Sequence, residues 1–335
     1  MKTTKMLAIL VLALGLFAKV ANADFTFGTP TNLGPTINRG PTVNSIAEDC
    51  APSISSDGLT LFFGSHRPGF GREGDLWVTT RATIKDDWGW SSNLGSTVNS
   101  SSYDDHPDIS NDGLSLYFCS DRPGGFGNAD LWVTTRATID GDWDTPMNLG
   151  PTINSSADET APSISADGLS LFFDSARPGG TGSWDIWMAT RPTTDGDWGA
   201  PVPLPPLVNS SSIDGEPSIS ADGRTLYFIS DRSGGYGDYD LWVTTRKTTG
   251  DDCGTPVNLG PTVNQTYEDM GPNISADGST LYFTAGGPVG FLDLYEFDLW
   301  QVPVMPVADF NKDKVVNFND LATFTEYWLW EASWH

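Results

Sequence analysis

Near its C-terminus the chain reads D-F-N-K-D-K-V-V-N-F-N-D, from Asp309 to Asp320. Asp309, Asn311, Asp313, Asn317 and Asp320 place side-chain oxygens at positions 1, 3, 5, 9 and 12 of a short loop, and Val315 offers its carbonyl at position 7. Such spacing wraps a loop around a hard cation that takes several oxygens, which points to calcium rather than zinc. A helix should follow, with Leu321, Phe324 and Trp328 on one face. Lys314 stands where Gly usually makes the sharp turn, a strain of about 1 kcal/mol. The other reading is an Asx-rich turn before a terminal helix, with no metal.

A second set of charged residues recurs along the chain. Asp49, Asp104, Glu159, Asp214 and Asp269 lie 55 residues apart, each three residues before a Pro. Arg67, Arg122, Arg177 and Arg232 keep the same step, and Gly287 stands where a fifth Arg would fall. Like charges brought together raise one another's pKa unless cations intervene. The expected arrangement is a ring of Arg–carboxylate pairs, with Asp269 and its neighbour Glu268 left over for a metal ion or a cationic ligand group. His66 and His106 interrupt the repeat, and a His beside a carboxylate could exchange protons with a substrate. His66, His106 and Asp269 are therefore the candidates for catalysis, set against the plainer reading of polar loop residues. The chain carries no G-x-S-x-G, H-E-x-x-H, paired-Cys metal motif or phosphate loop.

The elements that must position these groups follow from the period. Asp-Gly recurs at Asp57, Asp112, Asp167, Asp222 and Asp277, and Asp-Leu/Ile-Trp at Asp75, Asp130, Asp185 and Asp240, with a copy at Asp298 displaced three residues later. Each unit reads as four short strands: one before the Asp-Gly turn, an aromatic alternating one after it, a third at Asp-Leu-Trp, and a fourth near Asn-Leu-Gly. Four strands per unit of this length indicate a β-propeller. The fifth unit stops after its third strand, while the N-terminal stretch Thr31-Asn32-Leu33-Gly34 supplies a stray fourth. The fold expected is all-β: five four-stranded blades closed by the N-terminal strand, then a short EF-hand-like loop–helix. A stacked solenoid is the alternative, but it gives the lone strand no purpose. Trp77, Trp132, Trp187, Trp242 and Trp300 should pack between blades; Trp88, Trp143 and Trp198 either cap a blade edge or offer a face to a sugar.

The repeated pattern P-S-I-S-x-D-G-x-x-L-x-F-x-S-x-R-P-G-G-x-G-x-x-D-L-W resembles the TolB-type, WD-repeat-like propeller repeat of bacterial proteins, over about residues 25–304. That resemblance implies the propeller fold and surfaces for protein or glycan interaction; it leaves activity open. The tail loop resembles a dockerin-type EF-hand, in which V-N-x-x-D closes the loop. It implies calcium as cofactor and a cohesin-like receptor as partner, although only one loop is present here.

Residues 1–23 read as a secretory leader: Lys2 and Lys5, an uncharged run from Met6 to Phe17, and Ala21-Asn22-Ala23 as the cleavage site. The run is too short for an ordinary membrane span; an uncleaved anchor is the alternative. The domains expected are thus 1–23 leader, 24–304 propeller and 305–335 calcium-binding tail, in a secreted, periplasmic or cell-surface protein. The chain of 335 residues carries 43 acids against 18 bases, a formal charge of −25, which disfavours nucleic acid and anionic membranes as partners. Three Cys cannot build a disulfide framework. Blades this alike favour a non-catalytic binding or scaffold protein that presents a rigid face to a glycan or protein. The alternative is an extracellular polysaccharide-degrading hydrolase or lyase.

Overall fold

The computed structural model describes residues 25–33, 43–45, 47–69, 74–289 and 294–306. Phe27–Val304 forms one compact unit; Met1–Thr26 with Met305–His335 forms a second, nearly all of it outside the described residues. The leader and the loop residues Asp309, Asn311, Asp313, Val315, Asn317 and Asp320 lie outside them. Among the described residues the regular structure is entirely β, and no helix is long and apolar enough to cross a membrane.

Phe27–Val304 is a five-bladed propeller of antiparallel sheets. The first blade runs Asp49–Ile54, Thr60–Ser65, Asp75–Thr80, Ser92–Asn93, from the innermost strand outwards, and the next three repeat it from Asp104, Glu159 and Asp214. Each innermost strand packs against its two neighbours, and Asp269–Ile274 returns to Asp49–Ile54, so the ring closes. The fifth blade is completed by the other end of the chain. Thr31–Asn32 pairs antiparallel with Leu294–Pro306, Asn32 opposite Trp300 and Thr31 opposite Gln301. This is the rung that Asn93 and Trp77 form in the first blade. The side chains agree: Asn32 Nδ2 donates to Asp298 Oδ2 at 2.8 Å, as Asn93 Nδ2 does to Asp75 Oδ2 at 2.9 Å. The displaced Asp298-Leu299-Trp300 is therefore the fifth copy of the third strand.

Local chemistry explains the repeated residues. At the Asp-Gly turn, Asp57 Oδ1 accepts from Ser55 Oγ (2.6 Å) and Leu59 N (2.9 Å), and Gly58 takes φ 71°. The carboxylate holds the turn while Gly supplies the left-handed residue. The innermost strand bulges between Cys50 and Ser53. The repeated Pro52 sits within that bulge, where a missing N–H costs the ladder nothing. The residue before it is left-handed in every blade: Ala51, His106, Ala161, Glu216 and Gly271 have φ between 45° and 56°.

Blades are joined by apolar packing. Phe62 and Leu76 of the first blade meet Leu116, Phe118 and Trp132 of the second, and equivalent clusters lie between other neighbours. Each side chain so buried contributes roughly 1.5–3 kcal/mol relative to exposure. A polar ring accompanies this core. Ile109 N donates to Ser53 Oγ (3.0 Å), Ile164 N to Asp108 Oδ2 (2.7 Å), Ile219 N to Ser163 Oγ (3.1 Å), Ile274 N to Ser218 Oγ (3.1 Å) and Ile54 N to Asn273 Oδ1 (3.0 Å). Every blade thus accepts one bond and donates one, head to tail around the axis.

Candidate functional site

The repeated carboxylates lie at the start of the innermost strands, and each anchors the loop that precedes it. Asp49 Oδ2 accepts from Ser45 N at 2.5 Å, and Asp104 Oδ2 from Ser100 N at 2.6 Å. All five are fully buried, so they form a layer beneath the mouth rather than a solvent-facing ring. Arg67 meets Asp49 at 2.6 Å and Arg177 meets Glu159 at 2.9 Å; Arg122 and Arg232 pair in the same way with Asp104 and Asp214. Each Arg also has its Nε on a Ser hydroxyl, as Arg122 on Ser120 (2.9 Å), and its NH2 on a carbonyl, as Arg122 on Val98 (2.8 Å). Its guanidinium lies against two rings, Phe118 at 5.0 Å and Trp132 at 5.2 Å for Arg122. Burial pushes the Asp49 carboxyl up, and Arg67 offsets that only in part.

Among the described residues Asp269 has no such partner. Its Oδ2 accepts from Gln265 N at 2.6 Å, while the buried Oδ1 meets no donor. Burial pushes its carboxyl up to about 7, with Asp240 adding to the rise and the Gln265 N–H opposing it.

The channel itself is lined by residues two to four places further along: Ala51, His106, Ala161, Glu216 and Gly271, with the Pro residues that follow, Asp108 and Asn273. It offers about 20 Å³ to a water-sized sphere, room for a water molecule or so. His106 and Glu216 face one another across it from the second and fourth blades, Nε2 to Oε1 3.6 Å. Around them is a buried polar cluster. Asp105 lies 3.7 Å from His106 Nδ1 and accepts from Tyr103 OH and from Cys50 Sγ (3.4 Å). Cys119 Sγ is 3.8 Å from His106 Nδ1, and Asp174 Oδ2 accepts from Glu216 N at 3.0 Å. Burial opposes charge on His106, but Asp105, Cys119 and Glu216 overrule it and hold the imidazole well above its ordinary value. Asp108 is pushed up to about 7 by burial, against the bonds from Ile164, Ser53 and Asn273.

His66 lies apart, half-exposed at the mouth, with Nδ1 2.7 Å from Glu48 Oε2 and its ring edge-on to Tyr103. His66, His106 and Asp269 each keep separate partners, and no bond among the described residues joins the three. Glu268 also lies at the mouth; burial raises its carboxyl, helped by Asp238, Glu216 and Glu48. Among the described residues no group of three or more His, Cys, Asp or Glu is disposed to hold a metal.

The loop Trp residues are not open platforms. Trp88, Trp143 and Trp198 each lie under a guanidinium, from Arg81 at 4.3 Å, Arg136 at 4.4 Å and Arg191 at 4.3 Å. Their other contacts are with the blade cores. The groups that sequence reasoning passed over are Glu216, Asp105, Asp108 and Asp174. Their signal was present in the repeat: each is the one acidic residue in a column that other blades fill with residues of other types, mostly small, apolar or hydroxyl-bearing, with His106 in the column of Glu216 and Asn273 in that of Asp108.

No protein-family model and no curated protein matches the chain. Among solved structures, the GH62 α-L-arabinofuranosidase catalytic domain of Coprinopsis cinerea superposes with a TM-score of 0.53 at 11% identity, over 84% of this chain and 97% of that one. Zg3597, a family 117 glycoside hydrolase of Zobellia galactanivorans, does so with a TM-score of 0.52 at 12% identity, over 84% and 90%. TolB of Acinetobacter baumannii gives a TM-score of 0.46 at 15% identity over 78% of this chain, which spans only 57% of that one. At these identities the likeness to the two hydrolases is one of fold.

Proposed function

We propose that the protein is an exported, non-catalytic binding propeller that presents its mouth face to a glycan or protein partner. The observation that carries this reading is the channel. With about 20 Å³ for a water-sized sphere, it falls far below the roughly 300 Å³ at which small-molecule pockets begin. Four of the five repeated carboxylates are moreover held by Arg, which suits a rigid frame better than proton transfer. In this proposal the loop from Asp309 to Asp320 binds calcium and the tail attaches the disc to a surface or extracellular assembly through a cohesin-like receptor.

A second reading, a polysaccharide-degrading enzyme, draws support from the unlike residues of the channel wall, His106 and Glu216 among three small ones. Two experiments separate these readings. A glycan array probed with the mature protein, with and without calcium, should show binding; release of reducing sugar from any bound glycan, lost in Glu216→Gln, would establish the enzyme instead. Calorimetry should show calcium binding to the whole protein that Asp309→Ala abolishes, and no calcium heat in the parent would remove the tail from the proposal.

A further inference from the structure

We infer that the fifth blade carries a guanidinium site that lacks the in-chain Arg of the other four, and that it takes a monoalkylguanidinium, either a free small molecule or an arginine side chain of a peptide. The inference does not depend on the binding reading above.

The argument is a comparison of one blade with four. In the first four, the guanidinium is received by a buried carboxylate, the carbonyl six residues before it (Val43, Val98, Ile153, Val208), a Ser hydroxyl and two aromatic rings. In the fifth, the receiving parts other than the Ser hydroxyl persist. Asp269 is the carboxylate, Val263 stands at the carbonyl position, and Phe283 pairs across the sheet with Trp300, as Phe63 pairs with Trp77. What is gone is the filler and the hydroxyl that holds its Nε. Gly287 replaces the Arg and Ala285 replaces the Ser that accepts its Nε.

The backbone of this strand also departs from that of the other blades. In the first blade the strand ends at Ser65, whose hydroxyl accepts from Arg67 N and Nε and turns the Arg inward. In the fifth the ladder runs on through Gly286, Gly287 and Pro288, paired with Phe297, Glu296 and Tyr295.

The independent sign of a ligand is Asp269 itself. Its side chain is fully buried, and its Oδ1 has no hydrogen-bond partner. In the first, second and fourth blades it is this Oδ1 that receives the Arg. Its Oδ2 keeps the loop bond that every copy keeps. A planar donor fork between two rings is what this carboxylate position receives in the other four blades, and guanidinium fits that part where a compact ammonium does not. The four in-chain Arg side chains are 8–14% exposed, so the corresponding place in the fifth blade lies just beneath the mouth face.

The test is calorimetry on the full mature protein with methylguanidinium, agmatine and a Gly-Arg-Gly peptide, with methylammonium as the point-charge control. One saturable site is expected for the guanidinium probes. It should weaken at least tenfold in Asp269→Asn, vanish in the double variant Gly287→Arg with Ala285→Ser, and weaken about 30-fold between pH 8 and pH 5.5 as the Asp269 carboxyl gains its proton near 7. Arg122→Gly should open a second site of the same kind. Binding of the peptide as well as the small probes would assign the socket to a protein ligand; binding of agmatine and methylguanidinium alone would assign it to a free one. The inference is overturned by an absence of saturable binding in the parent, by binding that survives Asp269→Asn, or by methylammonium binding as tightly as methylguanidinium. If Arg122→Gly fails to fold, these three outcomes still decide.

Discussion

Arg122→Met should destabilise the propeller above neutral pH and do so much less in acid. The change keeps much of the aliphatic stem against Phe118 and Trp132 but removes the charge and three donor contacts, to Ser120, Val98 and Asp104. Asp104 would then stand much as Asp269 stands now, a fully buried carboxylate without a cation, though it keeps the Ser100 hydroxyl beside the Ser100 N–H where Asp269 has the Gln265 N–H alone, so Asp269 sets the upper bound. Asp269 shows the consequence, a carboxyl raised from 3.8 to about 7. A rise of about three pKa units corresponds to about 4 kcal/mol, within the 3–5 kcal/mol typical of breaking a buried pair. The sign follows from linkage. A carboxyl whose folded pKa is raised binds its proton more tightly when folded, so its penalty is absent below about pH 4, grows as pH rises, and is complete above about pH 7. Urea denaturation of parent and variant across pH 4.5–8 measures the difference directly. A gap between the two that widens by several kcal/mol toward pH 8, and that Asp104→Asn in the variant background largely closes, is the expected result. A gap of equal size at both ends of the range would refute the reasoning and assign the loss to packing.

Three further outcomes are expected. Asp269→Asn should raise stability above pH 7, by up to about 4 kcal/mol, and leave it little changed near pH 4, because it removes a carboxyl held at about 7; thermal melts at the two pH values check this. Cys253→Trp should stabilise the fourth blade by about 0.5–2 kcal/mol, since Cys253 occupies the position of Trp88, Trp143 and Trp198 and Arg246 lies seven residues before it, as Arg81, Arg136 and Arg191 do; urea midpoints report it. The His106 ring should remain protonated to higher pH than a free imidazole, followed by its proton resonances, and Asp105→Asn should lower that titration because Asp105 is the chief group holding it up.

The blades, their number and the closing strand were legible because they depend on the 55-residue step alone. Asp57 and Gly58 announce a turn, and Thr31-Asn32 announces a missing fourth strand, whatever the surroundings. The channel wall was less legible. The bulge at Ala51 and Pro52 re-aims the innermost strand, and a slip of one residue in a strand exchanges its faces. Asp49 is therefore buried beneath the mouth while Ala51 and its equivalents line the channel. The stacking of Arg81 on Trp88 was hidden for another reason. Both lie in the repeat at constant spacing, but only the fold of the intervening loop brings guanidinium over indole. The meeting of His106 with Glu216 spans two blades, 110 residues apart, and no local pattern carries it.

The closing strand has a mechanical consequence. Thr31 lies opposite Gln301 and Asn32 opposite Trp300, and Phe25–Phe27 pairs with the same strand Leu294–Pro306, so on this short ladder the chain enters and leaves from the same end. Tension applied between the two ends of the propeller would load these rungs one after another, as a zipper is loaded, rather than all at once in shear. The blades themselves, stitched by the hydrogen bonds from Ile54, Ile109, Ile164, Ile219 and Ile274, would bear no load until this clasp opened. A protein tethered at one end and pulled at the other would thus yield first at its fifth blade, which makes that blade a fuse.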